Sequence, residues 1–293
     1  MRPKFSPFLS YRCGVNPFKR RTGRVSSKAS LSPTSIMLLT LPQETLNEII
    51  GHLRSEERTL RSLSLVDRRL TEECRCYLFW SVRIDSEEKL HRWCDTISPG
   101  QDGLSRHVRL LDIGASPWGS LCTPSVLRGH MDHLRSFTKL EHLSIRTFNP
   151  SSFSSQDLKY CFGNFSTIRS IAIWPKGDWR AILDFLTLFP LLETTTIAQP
   201  HIWGNPEGVD PPDFVRRGEL ILHAGWINGY DKLFSYLSRP TTRYWRLRLA
   251  RTTVEDCSPL KEYFETCGGS LETLQLINCT FCECQLPLLV SSY

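Results

Sequence analysis

The chain has 293 residues, of which 40% are hydrophobic and 23% are charged, as in ordinary globular proteins. Its net charge of +6 is unevenly distributed, because residues 1–35 hold eight of the 36 basic residues and none of the 30 acidic ones. The rest of the chain therefore has 28 basic and 30 acidic side chains, and this balance does not indicate a nucleic-acid-binding surface. No apolar run reaches the roughly 18 residues that a membrane span needs, so no membrane partner is expected.

Residues 1–35 combine prolines, serines and arginines without a sustained apolar period, which predicts a disordered basic tail. The basic residues 19–21 with Arg24 would suit a nuclear localisation signal, although a solvated tail is the simpler interpretation. A mitochondrial presequence is a third possibility, against which Pro7 and Pro17 argue because they break the amphipathic helix that it requires. The start does not resemble a secretory signal, so we expect a cytoplasmic or nuclear protein whose eleven cysteines stay reduced.

Residues 36–84 have the apolar spacing of three short helices. Thr40 followed by Gln43 is typical of a capping box, and Pro42 suits the first turn of a helix. Acidic residues at 56 and 57 indicate the start of a second helix. The apolar positions of the three helices are Leu46, Ile49, Ile50, Leu53, Leu60, Leu63, Val66, Leu70, Cys74, Tyr77 and Leu78. Helices this small cannot bury so many apolar side chains among themselves, so another surface must cover some of them.

The ordered set in this segment resembles an F-box, in particular the F-box-like modules common in mushroom-forming fungi. The residues that carry the resemblance are Leu41, Pro42, Leu46, Ile49, Ile50, Leu53, Leu65, Val66, Arg68, Arg69, Phe79 and Trp80. The resemblance covers roughly 45 of the 293 residues, and Leu70 stands where such modules often have an aromatic residue. It implies docking on the Skp adaptor, and through it on the cullin, of a ubiquitin ligase. The adaptor-binding residues that it implies are Leu41, Pro42, Ile49, Ile50, Leu53, Leu65 and Val66.

After Ile84, a motif of the form L-x-x-L-x-L recurs seven times in more or less degenerate form. Its fourth position falls at residues 111, 143, 171, 195, 220, 247 and 274, which gives intervals of 32, 28, 24, 25, 27 and 27 residues. These intervals resemble the leucine-rich-repeat period of roughly 20–29 residues, in which each motif is a strand with inward-facing apolar side chains. The stretches 125–137, 178–189, 230–237 and 257–267 are long enough for helices that cover the strands. Because one unit cannot bury its own apolar face, the units are expected to stack.

The predicted fold is therefore α/β, with an F-box-like helical module at residues 36–84 and a degenerate leucine-rich-repeat-like solenoid at 85–293. An ordinary α/β domain with several strands remains the alternative. Strand residues between the inward positions would line a concave surface that contacts a protein substrate. We predict substrate-binding roles for His142, Ser144, Arg146, Trp174, His223, Arg246 and Arg248. The other outward positions are Leu110, Asp112, Ser170, Ala172, Thr194, Thr196, Ile221, Thr273 and Gln275.

Catalytic and metal-binding motifs are weak in this sequence. It contains no G-x-S-x-G, G-x-G-x-x-G, P-loop or H-E-x-x-H motif, so we expect neither enzyme activity nor a cofactor. Cys279, Cys282 and Cys284 have zinc-like spacing, but Cys279 falls where an Asn or Cys of the repeat packs in its turn, and no metal is expected. His130 and His133 lie one helical turn apart without a third ligand, which favours a solvated helix face.

Two functions follow from these patterns. The first is the substrate receptor of a Skp–cullin–F-box type ubiquitin ligase, which takes part in ubiquitin-dependent protein degradation. The alternative is a non-catalytic repeat scaffold in which the F-box-like segment only caps the solenoid, and an enzyme is a distant third. Capture of a Skp-type adaptor would separate the first two.

Residues 1–35 should be dispensable for folding, because they have no periodic apolar face to bury. A chain that lacks them should keep its melting temperature to within a few degrees in a thermal scan followed by circular dichroism. A large decrease would show that the tail packs on the body.

Overall fold

The computed structural model describes residues 40–96, 103–114, 122–198, 201–203, 218–226, 233–234, 244–254, 258–267, 269 and 271–281. The fold is α/β, as predicted, with helices and a parallel sheet. The predicted tail at residues 1–35 lies outside the described residues.

Three helices begin the described chain: α1 (Gln43–His52), α2 (Glu57–Leu63) and α3 (Arg68–Leu78). We call residues 40–80 the helical module. Its interior is a cluster of five buried residues, Leu46, Ile50, Leu60, Leu70 and Cys74. The module thus has a small apolar core of its own, separate from the core under the sheet.

The start of α1 differs from the predicted capping box. The N-cap residue is Pro42 and not Thr40, and a proline side chain offers no hydrogen-bond acceptor for the first turn. The side-chain amide of Gln43 donates to Asn47 Oδ1 at 2.7 Å and to the carbonyl oxygen of Arg69 at 3.4 Å. The second of these hydrogen bonds ties the start of α1 to the start of α3.

Within the described ranges the sheet contains ten strands, and all the pairings between them are parallel. They are β1 (Ser81–Ile84), β2 (Leu110–Ile113), β3 (His142–Phe148), β4 (Ser170–Asp178), β5 (Thr194–Ala198), β6 (His201–Trp203), β7 (Gly218–Trp226), β8 (Tyr244–Val254), β9 (Thr273–Ile277) and β10 (Thr280–Phe281). The main path follows chain order as β1-β2-β3-β4-β5-β7-β8-β10, while β6 pairs with β4 and β9 with β8.

Six further helices occur in the described residues: α4 (Glu87–Thr96), α5 (Pro124–Gly129), α6 (Met131–Leu134), α7 (Ser155–Phe162), α8 (Trp179–Leu186) and α9 (Ser258–Cys267). Their apolar residues share one buried cluster with the inward residues of the strands. The helices therefore cover one face of the sheet. At the centre of this core, the Phe148 and Phe185 rings lie 4.6 Å apart between centroids, and the Phe162 ring meets Phe185 edge-on at 5.1 Å.

The predicted register of the seven motifs is confirmed by the strand pairing. Residues 111, 143, 171, 195, 220, 247 and 274 are consecutive partners across neighbouring strands. Leu143, Ile171 and Leu247 are at most 1% exposed, as their inward positions require. Thr195 stands in the same row and is buried at 2%, although it replaces an apolar side chain.

Two expectations about the ends of the sheet need correction. The first strand is β1, and residues 81–84 had been assigned to the helical module. At the other end, Leu274 was expected to be buried and is 38% exposed. The reason is that β9 pairs only with β8 in the described part of the chain, so its inward side chains lack the cover of a further repeat.

The inward row consists of residues 111, 143, 171, 195, 220, 247 and 274. Truncating its side chains should lower the free energy of unfolding by unequal amounts. Ile171→Ala should lower the free energy of unfolding by about 2–5 kcal/mol, because the site is closed on all sides. Leu274→Ala should lower it by on the order of 1 kcal/mol, because a partly exposed side chain loses less packing. Urea unfolding at neutral pH measures both values, and equal losses would contradict the unequal packing of the row.

Candidate functional site

The seven predicted substrate-binding residues all lie on one face of the sheet, opposite the helices. We call this the outer face, and it consists of the strand positions that alternate with the inward rows. All seven side chains are half-buried: His142, Ser144, Arg146, Trp174, His223, Arg246 and Arg248. Two other predicted outward residues, Thr196 and Ile221, are buried at 4% and 1%. They are cross-strand neighbours in β5 and β7, and this part of the outer face is not solvent-exposed.

At the β1–β4 end of the outer face, Asp112 is the centre of a polar cluster. Its carboxylate accepts hydrogen bonds from Ser144 Oγ at 2.8 Å and Arg146 Nη2 at 3.2 Å, and Arg83 Nε lies 3.7 Å away. The Arg146 guanidinium stands 5.5 Å from the centroid of the Trp174 ring, within range of a cation–π interaction. Arg146 also crosses Gly114, where a Cβ atom would come within 2.8 Å of its Cδ. The side chain of Arg146 is thus held on three sides.

A second cluster lies at the β7–β9 end. Arg248 Nη2 is 3.2 Å from the Glu219 carboxylate, and Arg248 Nε donates to Gln275 Oε1 at 2.8 Å. The neighbouring Arg246 stacks on the ring of Trp245 at 4.4 Å. This end of the outer face therefore also presents guanidinium groups in fixed positions.

The two outer-face histidines are neutral at physiological pH. Burial lowers the pKa of His142 below its ordinary value, and the acidic neighbours Glu141 and Glu193 oppose this only in part. The ring of His142 lies 5.9 Å from that of Trp80, at the border with the helical module. Burial, and secondly Arg251, lower the pKa of His223. The positive charge of the outer face therefore comes from its arginine and lysine side chains.

The predicted adaptor-binding residues occupy two environments in the helical module. Leu65 and Val66, in the turn between α2 and α3, are 87% and 47% exposed. Pro42 is exposed, while the side chains of Leu41, Ile49 and Leu53 are half-buried. Ile50 is 1% exposed in the module core, so its prediction as a contact residue is corrected. It faces inward because, like Leu46 one turn earlier, it packs against α2 and α3.

An open cavity of about 580 Å³ lies where the helical module meets the sheet. On its wall, Cys76 Sγ is 3.3 Å from His107 Nδ1, and Glu72 Oε1 is 3.3 Å from His107 Nε2. Arg106 forms an ion pair with the same Glu72 carboxylate. We call Glu72, Cys76, Arg106 and His107 the junction cluster, because it joins α3 to the turn that precedes β2. No sequence pattern predicted it, since its two halves are about 30 residues apart in the chain.

In the junction cluster a thiol, an imidazole and a carboxylate follow one another in space. This arrangement does not activate the thiol of Cys76 as a nucleophile. Burial and the acidic residues Glu73 and Glu72 raise the pKa of the Cys76 thiol. Burial lowers the pKa of His107 despite the opposing effect of Glu72. Both groups are therefore uncharged at neutral pH, and a thiolate–imidazolium pair is disfavoured. The cluster serves as a polar contact between the two parts of the fold.

The other cysteine and histidine patterns are structural in the described residues. Burial raises the pKa of Cys94 and of Cys161 to about 11, so both stay protonated. His130 contacts Cys94 Sγ at 3.5 Å, which corrects the expectation of a fully solvated histidine pair. The Cys279 thiol donates to the Leu249 carbonyl at 3.2 Å, while Cys282 and Cys284 lie outside the described residues. In the parts of the chain that the structure describes, no group of three or more ligands could hold a metal.

The helices of the described residues include none that combines the length and the apolarity needed to cross a membrane.

The junction cluster should make stability depend on pH. Because the folded protein protonates His107 less readily than the unfolded chain, its contribution is complete above the ordinary pKa of 6.5 and is lost as the pH falls towards the lower folded value. His107→Gln should therefore reduce the loss of unfolding free energy between neutral and mildly acidic pH, measured by urea titration. His52→Gln, at the exposed end of α1, is the matched control, and an equal effect of both variants would contradict this prediction.

Comparisons with known proteins add no further assignment. The chain matches no model of a protein family, and no curated protein matches its sequence. The functional argument therefore depends on the surfaces described above.

Proposed function

We propose that this protein is a substrate-receptor subunit of a Skp–cullin–F-box type ubiquitin ligase. In this proposal the helical module binds the Skp-type adaptor, and the outer face of the sheet binds a protein substrate. The observation that carries it is the exposed pair Leu65 and Val66 on a helical unit with its own core. A partner that covers this pair gains free energy by removing its apolar area from water.

The exposed pair has neighbours that extend it into a surface. The side chain of Asp67 caps α3 by accepting from the Arg69 amide at 2.7 Å, which fixes the turn that carries Leu65 and Val66. The hydrogen bond from Gln43 to Arg69 brings the start of α1 next to the start of α3. The exposed Pro42 and half-buried Leu41 therefore lie on the same side of the module as the α2–α3 turn. The residues of this surface are those whose order resembles an F-box.

The repeated strands support the second half of the proposal. Seven equivalent positions in consecutive parallel strands are the arrangement expected of a leucine-rich-repeat-like solenoid, in which the alternate positions are free to recognise a partner. The protein itself would catalyse no reaction. It would act by holding the substrate close to a ubiquitin-charged enzyme, which raises the effective concentration of the two reactants.

The alternative is a scaffold whose helical module only caps the sheet. The attachment between the module and the sheet is the observation that favours it. The carbonyl of Trp80 accepts hydrogen bonds from the amides of Arg109 and Leu110 at 2.9 and 3.0 Å, and β1 follows α3 after two residues. The module is thus firmly attached to the sheet. The attachment uses α3 and the cavity wall, and it leaves Leu65 and Val66 exposed, so capping alone does not account for these two side chains.

Binding of a purified Skp-type adaptor to the full chain, measured by calorimetry, tests the proposal. The double variant Leu65→Ser with Val66→Ser should weaken binding about tenfold or more, because two apolar contacts worth about 1 kcal/mol or more each are lost. The circular dichroism spectrum should not change, since neither side chain is in the core.

Leu191→Ser is the matched control, because Leu191 is 48% exposed and lies far along the chain from the module. It should leave adaptor binding unchanged. Undiminished binding by the double variant would refute the assigned surface, and no binding by the natural chain would favour the scaffold alternative. Leu41→Ala with Pro42→Ala should weaken binding in the same direction, with the same unchanged spectrum.

A further inference from the structure

The end of the outer face formed by β1–β4 carries an excess of positive charge in accessible positions. Arg83 on β1, Arg146 on β3 and Lys176 on β4 project from this face, and Asp112 on β2 lies between the two arginines. The side chains of Arg83 and Arg146 are each 40% exposed and Lys176 is exposed, whereas the side chain of Asp112 is only 13% exposed. An incoming partner therefore meets the three cations before it meets the carboxylate.

The two arginines converge on a single acceptor. Arg83 Nε at 3.7 Å and Arg146 Nη2 at 3.2 Å approach the same oxygen, Asp112 Oδ2, so these two nitrogens lie at most about 7 Å apart. The other carboxylate oxygen accepts from Ser144 Oγ at 2.8 Å. One carboxylate thus faces two guanidinium groups, and within the described residues neither arginine has a second acidic partner. A second carboxylate would complete the neutralisation by accepting charge-assisted hydrogen bonds of about 2.8 Å from the terminal guanidinium nitrogens.

Unusual backbone conformations fix the positions of these side chains. Thr147, directly after Arg146, has a φ of 54°, which is rare for a β-branched residue, and its hydroxyl donates to the Arg146 carbonyl at 2.7 Å. The β3–β4 pairing shifts register between residues 145 and 148, as in a β-bulge. Gly177, directly after Lys176, has a φ of 112°. Bulges and backbone outliers of this kind concentrate at binding sites, where they re-aim side chains.

The spacing of the cations along β4 selects the form of the partner. The Arg146 guanidinium lies 5.5 Å from the centroid of the Trp174 ring, and Lys176 follows Trp174 by two residues. A two-residue step in a strand is about 6.6 Å, and alternate side chains of an extended peptide have the same spacing. The next outward residue, Asp178, is acidic and accepts from the Arg180 amide at 3.0 Å, so the cationic run ends there. The site therefore fits two acidic side chains and no third.

We propose that this end of the outer face binds an extended protein segment with acidic side chains at positions i and i+2. The first carboxylate bridges Arg83 and Arg146, the second pairs with Lys176, and the residue between them points away from the sheet. This inference rests on the proposed function, because the segment would be the part of the substrate that the receptor recognises. The buried outer-face positions on β5 and β7 are not part of the site. A nucleic acid fits less well, because its chain of phosphates would extend past the three cations to Asp178.

The test uses the full chain, at up to about 500 µM, and fluorescein-labelled synthetic peptides in fluorescence anisotropy. The first peptide has two glutamates separated by one valine in a background of serine and alanine. Its isomer has the same composition with the glutamates adjacent, so that their side chains point to opposite sides of an extended chain. A third peptide has glutamine in place of glutamate. The first peptide should bind at least threefold more tightly than its isomer and at least tenfold more tightly than the third, and higher ionic strength should weaken this binding.

Substitutions locate the binding on the outer face. Arg146→Gln and Lys176→Gln should each weaken binding of the first peptide about fivefold or more, and Arg146→Lys should recover part of the loss. In the Lys176→Gln variant the first peptide and its isomer should bind equally, because the second carboxylate no longer has a cation to meet. Arg169→Gln is the matched control, since it removes an arginine that pairs with Glu193 at the edge where the strands begin, and it should change binding less than twofold. Thermal unfolding checks that each variant keeps its fold.

Five outcomes would overturn the inference. They are absence of binding by the first peptide, equal binding of the two glutamate isomers, a preference between them that survives Lys176→Gln, an equal loss in Arg169→Gln, and displacement of the first peptide by a 15-nucleotide oligothymidylate at a similar concentration. Adaptor binding by the natural chain is measured separately. A chain that binds the first peptide but no Skp-type adaptor would refute the proposed function alone, and a chain that binds the adaptor without the peptide would refute only this inference.

Discussion

Parallel pairing of consecutive strands is the constraint on which the rest of this structure depends. In each pair, equivalent motif positions stand opposite each other, so one inward row runs from Leu111 to Leu274. Because side chains alternate between faces, a shift of one residue in any strand would move its inward side chains to the solvent. The helices bury the inward rows, and this burial fixes the register. The positions of Arg146 and Arg248 on the outer face follow from that register without any contact between them.

The register could be predicted from the sequence because the motif combines two periods. Within a strand the period of two separates the faces, and between strands the spacing of apolar residues identifies equivalent positions. The intervals range from 24 to 32 residues, yet the paired positions agree, since extra residues are accommodated in the connections. The strand β1 was not predicted, because four residues directly after a helical pattern contain too few positions to establish a period.

Burial at particular sites was harder to predict, since it depends on residues far apart in the sequence. Leu274 follows the motif but lacks cover, whereas Ile221 has an outward position and is buried beside Thr196. The junction cluster brings Glu72 to within 3.3 Å of His107 through the packing of α3 on the sheet. The apolar pattern of α1 correctly indicated a buried face, but it could not tell Ile50, in the core, from Ile49, which remains half-buried. The packing of the neighbouring helices determines which of the two side chains is buried.

The two surfaces of this protein use different physical means and are therefore separable. The α2–α3 turn offers apolar area, whose association is driven by burial and depends little on salt. The outer face offers positioned charge, whose contribution to association falls with ionic strength. The junction holds the two surfaces at a set distance through backbone hydrogen bonds at Trp80 and the Glu72–Arg106 pair. The proposed function requires two partners to bind at once, and this arrangement suits it because neither surface contributes side chains to the other. Substitutions on the outer face can then change that surface while the inward rows and the helical module remain intact.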